Sequence, residues 1–469
     1  MRHRFVAGPG GWIALTVLLS VSSPAAARAQ TLPPGPLSVN DAIDLALKNY
    51  PAIKESRARA QTSEAGIELA RTAYLPRLDA VWQENRATTN NVFGLLFPQP
   101  VILPISGPVL GTRSLSGSAW GSAAGVMLAW DVVDFGQRKA AVGVARAQSE
   151  LAKSQIALTE LEAASAAADA FLTVLAADAS VRAFRANVER LEIFAGTVQT
   201  LVQNQLRPGA EQSRAEAELA VGRNQLIQAV QIADVARASL ADAIGAAGSS
   251  VELASGSLDV LPEAAIAPAG FESHPAARIG QAAVEVVHAR TEALGRAYYP
   301  RITLQSAFAA RGTGADAPGV PSFGNGLWPK VPNWAIGASA SFAAFELFSI
   351  NARKRVETQN ELAERARYEG TIQALTTQDA KARALVKAAA AIAKNTPIQR
   401  QAATAGESQA RARYQNGLAS VTEVAEAQRL LAQAEADDAV ARLGVWRALL
   451  ASAQARGDLR SFLDQTTRP

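Results

Sequence analysis

Two stretches of the chain share one frame, 224 positions apart. The first runs from Tyr50-Pro51 to Tyr74-Leu75-Pro76-Arg77, the second from His274-Pro275 to Tyr298-Tyr299-Pro300-Arg301, and in both the prolines stand 25 positions apart. At the same offset Ala52, Ala58, Ala65, Ala73 and Tyr74 recur as Ala276, Ala282, Ala289, Ala297 and Tyr298. Chance supplies alanine matches in so alanine-rich a chain, but not two matched prolines with Tyr and Arg beside the second. A proline at the first helical position is tolerated because its N–H would have no intrahelical partner. The second proline stops the helix, since it offers no N–H and disfavours helix in the residue before it. Each frame is therefore a predicted helix of about six turns. A short helix precedes the first, with Ser38 and Asp41 spaced as a capping box.

Beyond each stop proline the period changes to two. Ile302, Leu304, Phe308 and Ala310 alternate with Thr303, Gln305, Ala309 and Arg311; Trp334, Ile336, Ala338, Ala340 and Phe342 alternate with Asn333, Gly337, Ser339 and Ser341. In the first copy Trp120, Val126, Leu128 and Trp130 alternate with Gly121, Gly125 and Asp131, and Leu78 begins a weaker example. One face is bulky and apolar, the other small or polar, as in a barrel wall with lipid outside and water inside. Five of the seven tryptophans (Trp82, Trp120, Trp130, Trp328 and Trp334) lie in or beside these segments. They fit interfacial girdles, and they fit the core of a sandwich equally. Gly, Pro and Ser enrich 92–116 and 312–331, the expected surface loops between paired strands.

Each strand pair is followed by a very long helical pattern. From 137 to 205 there is no proline, and Val144/Ala147, Leu151/Ser154, Leu158/Leu161, Ser165/Ala168 and Leu172/Leu175 repeat at heptad spacing. A helix of that length is a rod of about 100 Å. Arg207-Pro208-Gly209 breaks it, and Leu219, Leu226, Ala233 and Leu240 mark a return helix. The second copy repeats this from about Ala352 to Asn416-Gly417, with Ala427, Ala434, Ala441 and Ala448 on the return. Alanine at seam positions lets helices approach closely. The second outgoing arm reads one heptad shorter than the first, and Pro397 should kink or interrupt it.

Arg2, His3 and Arg4, then an apolar run over 12–21 and Ala27-Arg28-Ala29, have the order of a signal peptide cleaved after Ala29; a buried N-terminal helix is the alternative. Of 46 basic and 42 acidic residues, cleavage removes only Arg2, Arg4 and Arg28, leaving a balance of +1. The basic pI is thus no sign of nucleic-acid binding. There is no cysteine, which excludes disulfides, thiolate metal sites, thiol catalysis and a lipid anchor on cysteine. No later run of about 18 uncharged apolar residues marks a helical span. A β-barrel remains open to such a chain. His274 and His288, the only histidines past the leader, have no metal-ligand companions at helical spacing, and no Ser/His/Asp set is visible. We therefore expect no enzyme activity, cofactor or metal. His274 reads as a cap or packing residue.

Taken together, the order of helix, Pro-bounded helix, strand, loop, strand and long hairpin, all twice, resembles the TolC-type outer-membrane efflux family over nearly the whole mature chain. The family favours Phe-Asp-x-Gly-x-Arg between strand and long helix. Here Val133-Asp134-Phe135-Gly136-Gln137-Arg138 keeps Asp, Gly and Arg, while Phe348-Ser349-Ile350-Asn351-Ala352-Arg353 puts Asn for Gly at the expected tight turn. Its Arg-Tyr-x-x-Gly-Leu stretch appears as Arg413-Tyr414-Gln415-Asn416-Gly417-Leu418, followed by Glu423 and Glu426. The resemblance implies a mainly α fold with a membrane β-barrel. A homotrimer would close one 12-stranded barrel in outer-membrane lipid above a periplasmic helical tunnel, and serve a tripartite efflux or type I secretion system with a periplasmic adaptor and an inner-membrane pump. The implied organisation is a leader over 1–29, one repeat over 30–246, an equatorial linker over 247–270, a second repeat over 271–457 and a tail over 458–469. Four strands cannot close around a channel alone, which independently requires association.

Glu423 and Glu426 stand three apart on one helical face. A threefold axis would gather them into acidic rings, the family having Asp there; solvated surface charge is the alternative. Tyr414 matches a family tyrosine that latches the closed tip, but its expected acidic partner falls at Ala215. Arg207, Gly209, Gly417 and Leu418 are candidates for adaptor contact, the glycines also serving as turn residues. A periplasmic adaptor, a structural coiled coil and a secreted hydrolase are the competing classes. The first lacks barrel strands, the second lacks period-two segments, and the third lacks a visible constellation.

Overall fold

The computed structural model describes residues 35–88, 118–254, 258, 260–262, 270–314, 325–342 and 344–466. The leader and most of both strand-joining loops lie outside them. The capping box forms as expected: Ser38 accepts from Asp41 N and starts α1 (Val39–Asn49). Pro51 opens α2 (Pro51–Thr72) and Pro275 opens α5 (Pro275–Arg296), each of 22 residues. His274, almost fully buried, caps α5 by accepting from Ala276 N through Nδ1 at 3.1 Å.

Strands β1 (Arg77–Thr88), β2 (Ser118–Val133), β3 (Arg301–Thr313) and β4 (Val331–Ser341) form one antiparallel sheet in sequence order. Each is long enough to cross a hydrocarbon layer, which takes about 9–11 tilted residues. The register aligns the bulky positions of all four. Leu78, Leu128, Ser306 and Ile336 make one row, and Ala80, Val126, Phe308 and Trp334 the next. Trp334 is 76% exposed and Phe308 64%. The opposite face carries Asp79, Gln83, Asp131, Thr303, Gln305, Arg311 and Asn333. There Thr303 Oγ1 donates to Asp131 Oδ1 at 2.6 Å.

Two long hairpins hang from this sheet: α3 (Gln137–Gln203) with α4 (Gly209–Ala243), and α6 (Glu346–Gln415) with α7 (Val421–Arg456). In the half near the sheet α2 packs on α3, α3 on α5 and α5 on α6; in the far half α3 packs on α4 and α7, and α7 on α6. The core lies at the middle, where Phe171 and Leu172 of α3 meet Leu240 of α4, Trp446 of α7 and Phe462 of α8 (Arg460–Thr466). Residues 251–254 belong to this belt: Leu37 N donates to Glu252 O at 2.8 Å, and Ala254 N to Leu37 O at 2.8 Å. One stretch of α3 is long and apolar enough to cross a membrane by composition, but more than half of it is buried in packed helices.

Three expectations need correction. Helix α6 is not interrupted at Pro397 but continues through it. Beside that proline Thr396 Oγ1 donates to buried Asp438 of α7 at 3.1 Å, and the same carboxylate takes Arg400 at 3.2 Å and Arg442 at 3.0 Å. The neighbouring helix thus grips α6 where its own ladder lacks an N–H. Second, the arms do not differ by a heptad. Helix α6 begins at Glu346 and reaches 70 residues against 67 for α3. Third, Asn351 therefore lies inside a helix and not at a tight turn; its Oδ1 accepts from Tyr298 OH.

The first copy keeps the turn. Phe135 and Gly136 take φ of 48° and 91°, which glycine adopts without the Cβ penalty. Asp134 accepts from Gly136 N at 3.1 Å, from Arg138 N at 2.8 Å and from Arg138 Nε at 2.7 Å. The Arg138 guanidinium lies over the Tyr74 ring, 4.9 Å from its centroid, and so ties the turn to the end of α2. Burial raises the Asp134 pKa, but the bonds from Arg138 and Gly136 outweigh it and hold it below the usual value. Charge-assisted bonds of this kind contribute about 1.5–3 kcal/mol. Asp134→Asn should lower the denaturant stability of the fold by about 2 kcal/mol. The wild-type advantage should persist above the ordinary carboxylate pKa and vanish as pH falls through the depressed one.

Candidate functional site: the hairpin ends

Both hairpins turn in the same way. Leu206 N donates to Leu201 O at 2.9 Å, and Leu418 N to Arg413 O at 2.8 Å. The residue before each leucine is left-handed: Gln205 with φ 60° and Gly417 with φ 77°. This is the Schellman closure of a helix end. It pairs Gln205 with Gly417, Leu206 with Leu418, Pro208 with Ser420 and Glu211 with Glu423. Gly209 is thus no turn residue; it is the first residue of α4, with open space around its Cα. Leu206 and Leu418 are each 68% exposed at the extreme ends.

The paired glutamates do different work. Glu423 completes a capping box with Ser420, accepting from Ser420 N at 3.3 Å while its own N–H donates to Ser420 Oγ. Its other oxygen meets Arg413 at 3.3 Å. In the first tip proline occupies the cap, so no box can form and Glu211 is free to reach elsewhere. Glu211 accepts from Tyr414 OH at 2.9 Å. Arg207 stacks over the Tyr414 ring at 4.8 Å, donates to Tyr414 O at 3.0 Å and meets Glu211 at 3.6 Å. Phe194 packs edge-on against the same ring at 5.1 Å.

Tyr414 is 1% exposed and sits with Phe194, Val198, Ala215, Val421 and Val424 in a small core of its own. Sequence reasoning looked for its acidic partner at Ala215, which is a buried packing residue, and missed Glu211 one turn earlier on the same face. The signal was present: Glu211 holds the third position of its helix, as Glu423 does. Arg207 is folded inward onto the second hairpin. Glu426 is exposed and pairs with Arg429, whose Nε lies 3.2 Å away. Among the described residues no group of His, Cys, Asp and Glu could hold a metal.

A sheet that shows bulky apolar side chains on one face and polar ones on the other, continued by paired helical rods, is the build of a membrane-inserted duct subunit. The sequence profile of the outer membrane efflux protein family matches residues 42–246 and 272–457, and the chain belongs to that family. It is an outer-membrane efflux channel protein whose helices extend into the periplasm. No curated protein sequence matches it. Solved structures with the same fold include the CmeC outer membrane channel of Campylobacter jejuni, 15% identical, covering 92% of this chain and 89% of that one at a TM-score of 0.72. The open state of the MtrE outer membrane channel of Neisseria gonorrhoeae is 18% identical, with coverage of 90% and 89% and a TM-score of 0.70. VceC of Vibrio cholerae is 18% identical, with coverage of 90% and 96% and a TM-score of 0.67.

Burial, and then the bond to Glu211, push the Tyr414 phenol up to about 12. It remains a proton donor throughout the physiological range. Ultraviolet titration of wild type minus Tyr414→Phe should show one phenol ionising near that value. A difference curve centred on the ordinary tyrosine pKa of about 10 would mean that the ring is not enclosed.

Proposed function

We propose that three copies of this chain close a single 12-stranded barrel and form a passive exit duct. The observation that carries the reading is the sheet itself: among the described residues β1 and β4 are edges without partners, on a sheet whose one face is apolar. Unpaired backbone groups cannot face hydrocarbon. Two copies would supply eight strands, a barrel just wide enough for its side chains to fill, whereas three leave an open lumen. The flanking helices fit the same closure, since α2 and α6 lie at the sides of the layer near the sheet and α4 and α6 at the sides of the far one.

The duct serves a tripartite efflux or type I secretion system, receiving cargo through a periplasmic adaptor from an inner-membrane pump. It carries no catalysis of its own. Residues 1–29 act as the export leader, and the two repeats, 30–246 and 271–457, each supply two strands and one hairpin. Gly417 and Leu418, with Arg207 and Gly209 beside them, mark the adaptor-facing ends; the exposed Leu206 and Leu418 supply an apolar contact there. Tyr414, held by Glu211 and Arg207, keeps the two hairpins of one protomer together at the tip.

Glu423 and Glu426 are the gate and selectivity residues in this reading, gathered as acidic rings at the tunnel end. Their arginine partners, Arg413 and Arg429, accompany them around the same axis and offset much of the charge.

The protein purified in detergent should be a homotrimer by light scattering; a stable monomer with complete β-structure would remove the shared barrel. In planar bilayers Glu423→Gln with Glu426→Gln should turn a cation preference toward anions, because Arg413 and Arg429 remain. Single variants should fall between. Unchanged reversal potentials would make these glutamates solvated surface charges and leave the duct reading intact.

A further inference from the structure

We propose that Arg311 from three copies forms a binding ring for polyvalent anions, polyphosphates or polycarboxylates, at the outer end of the barrel; this rests on the three-copy reading above. The strand register carries the placement. Arg311 shares a row with Gln83, Ala123 and Val331. That row belongs to the face opposite Leu78, Val126, Phe308 and Trp334, hence to the lumen. It lies two residues from the outer end of β3. At about 3.4 Å per residue and a tilt of about 40°, it stands roughly 25 Å above Arg301 at the inner end.

Among the described residues, charge on the lumen face is otherwise confined to the inner end. Arg77 and Asp79 pair at 2.8 Å. Asp131 is held by Thr303, and Arg301 lies level with Ser341 at the inner end of β4. Between the two ends run uncharged rows such as Val81, Gly125, Ala309 and Asn333. Among the described residues no carboxylate lies within ion-pair distance of Arg311 or of Lys330, whose N–H donates to Arg311 O at 3.0 Å. The small neighbours Ala123 and Gly121 leave the guanidinium room to extend.

The size of the pore sets the strength of the ring. Strands about 4.8 Å apart, tilted about 40°, close twelve-fold at a backbone radius of about 12 Å. An extended arginine covers about half of that, so three guanidinium groups stand about 10 Å apart, one Debye length at 0.1 M salt. Their fields overlap across the whole lumen. A monovalent anion meets them one at a time, but a compact polyanion bridges all three, and guanidinium matches phosphate and carboxylate as a planar fork.

The test uses the full-length trimer in a planar bilayer of neutral lipid, so that no anionic headgroup competes. Inositol hexakisphosphate added on the side of the strand loops should block the current. Arg311→Gln should raise the half-blocking concentration about tenfold or more, Arg311→Lys should keep most of the block, and Gln83→Lys, in the same row, should tighten it. Block should fade in 1 M salt, where the Debye length is about 3 Å. Equal block of wild type and Arg311→Gln, or no block of wild type, overturns the ring while a conducting trimer keeps the barrel. A monomer that conducts nothing overturns the barrel reading, and the ring with it.

Discussion

A β-strand edge cannot stand in hydrocarbon, because each unpaired N–H and C=O there costs several kcal/mol with no water to meet it. The described residues of this chain make four strands and leave two such edges. It also turns Leu78, Trp82, Phe308, Trp334 and Ile336 outward on one face. In water that face would be an exposed apolar patch, and in lipid its edges would be unsatisfied. Only association in a membrane meets both demands at once. The helical part follows from the same constraint, since each strand pair must be carried by helices that can sit side by side around a common axis.

Much of this was legible in the sequence because its determinants are local. Proline at the start and stop of α2 and α5 acts through the backbone alone. The alternation in β2, β3 and β4 reads directly as two faces, and the register then lines up those faces row by row. Of the heptad alanines of α7, Ala434 and Ala448 are buried in the seam, while Ala427 and Ala441 are only partly buried. What was missed depended on partners far away in sequence. Asn351 was taken for a turn because it replaces a glycine, but helix α6 had already begun. Pro397 should kink or interrupt its helix; the helix is not interrupted, and a buried aspartate on the neighbouring helix grips it there. The partner of Tyr414 was sought at Ala215, when the absence of a capping side chain at Pro208 frees Glu211 instead.

The two hairpins thus share a turn and differ in its chemistry. In the second, serine and glutamate satisfy each other within one helix end. In the first, proline leaves the glutamate unclaimed, and it is used to bind the other hairpin. A single substitution at a helix cap, of about 1 kcal/mol in local terms, therefore decides whether a carboxylate stabilises its own helix or joins two.

The order in which the sheet can form has its own consequence. Strand β2 ends at Val133 and its neighbour β3 begins at Arg301, with the whole first hairpin between them. The hairpins are built from near neighbours along the chain, and such contacts form early; the central strand pair must wait for a long loop to close. If three copies close the barrel as proposed, the outermost strands wait longer still, for a step whose rate depends on how many other copies are at hand. A newly exported chain therefore lives for a time with folded rods and an unfinished sheet. Its tryptophans are most in need of cover during that interval, and in the proposed assembly dilution would join denaturant as a threat to the native state.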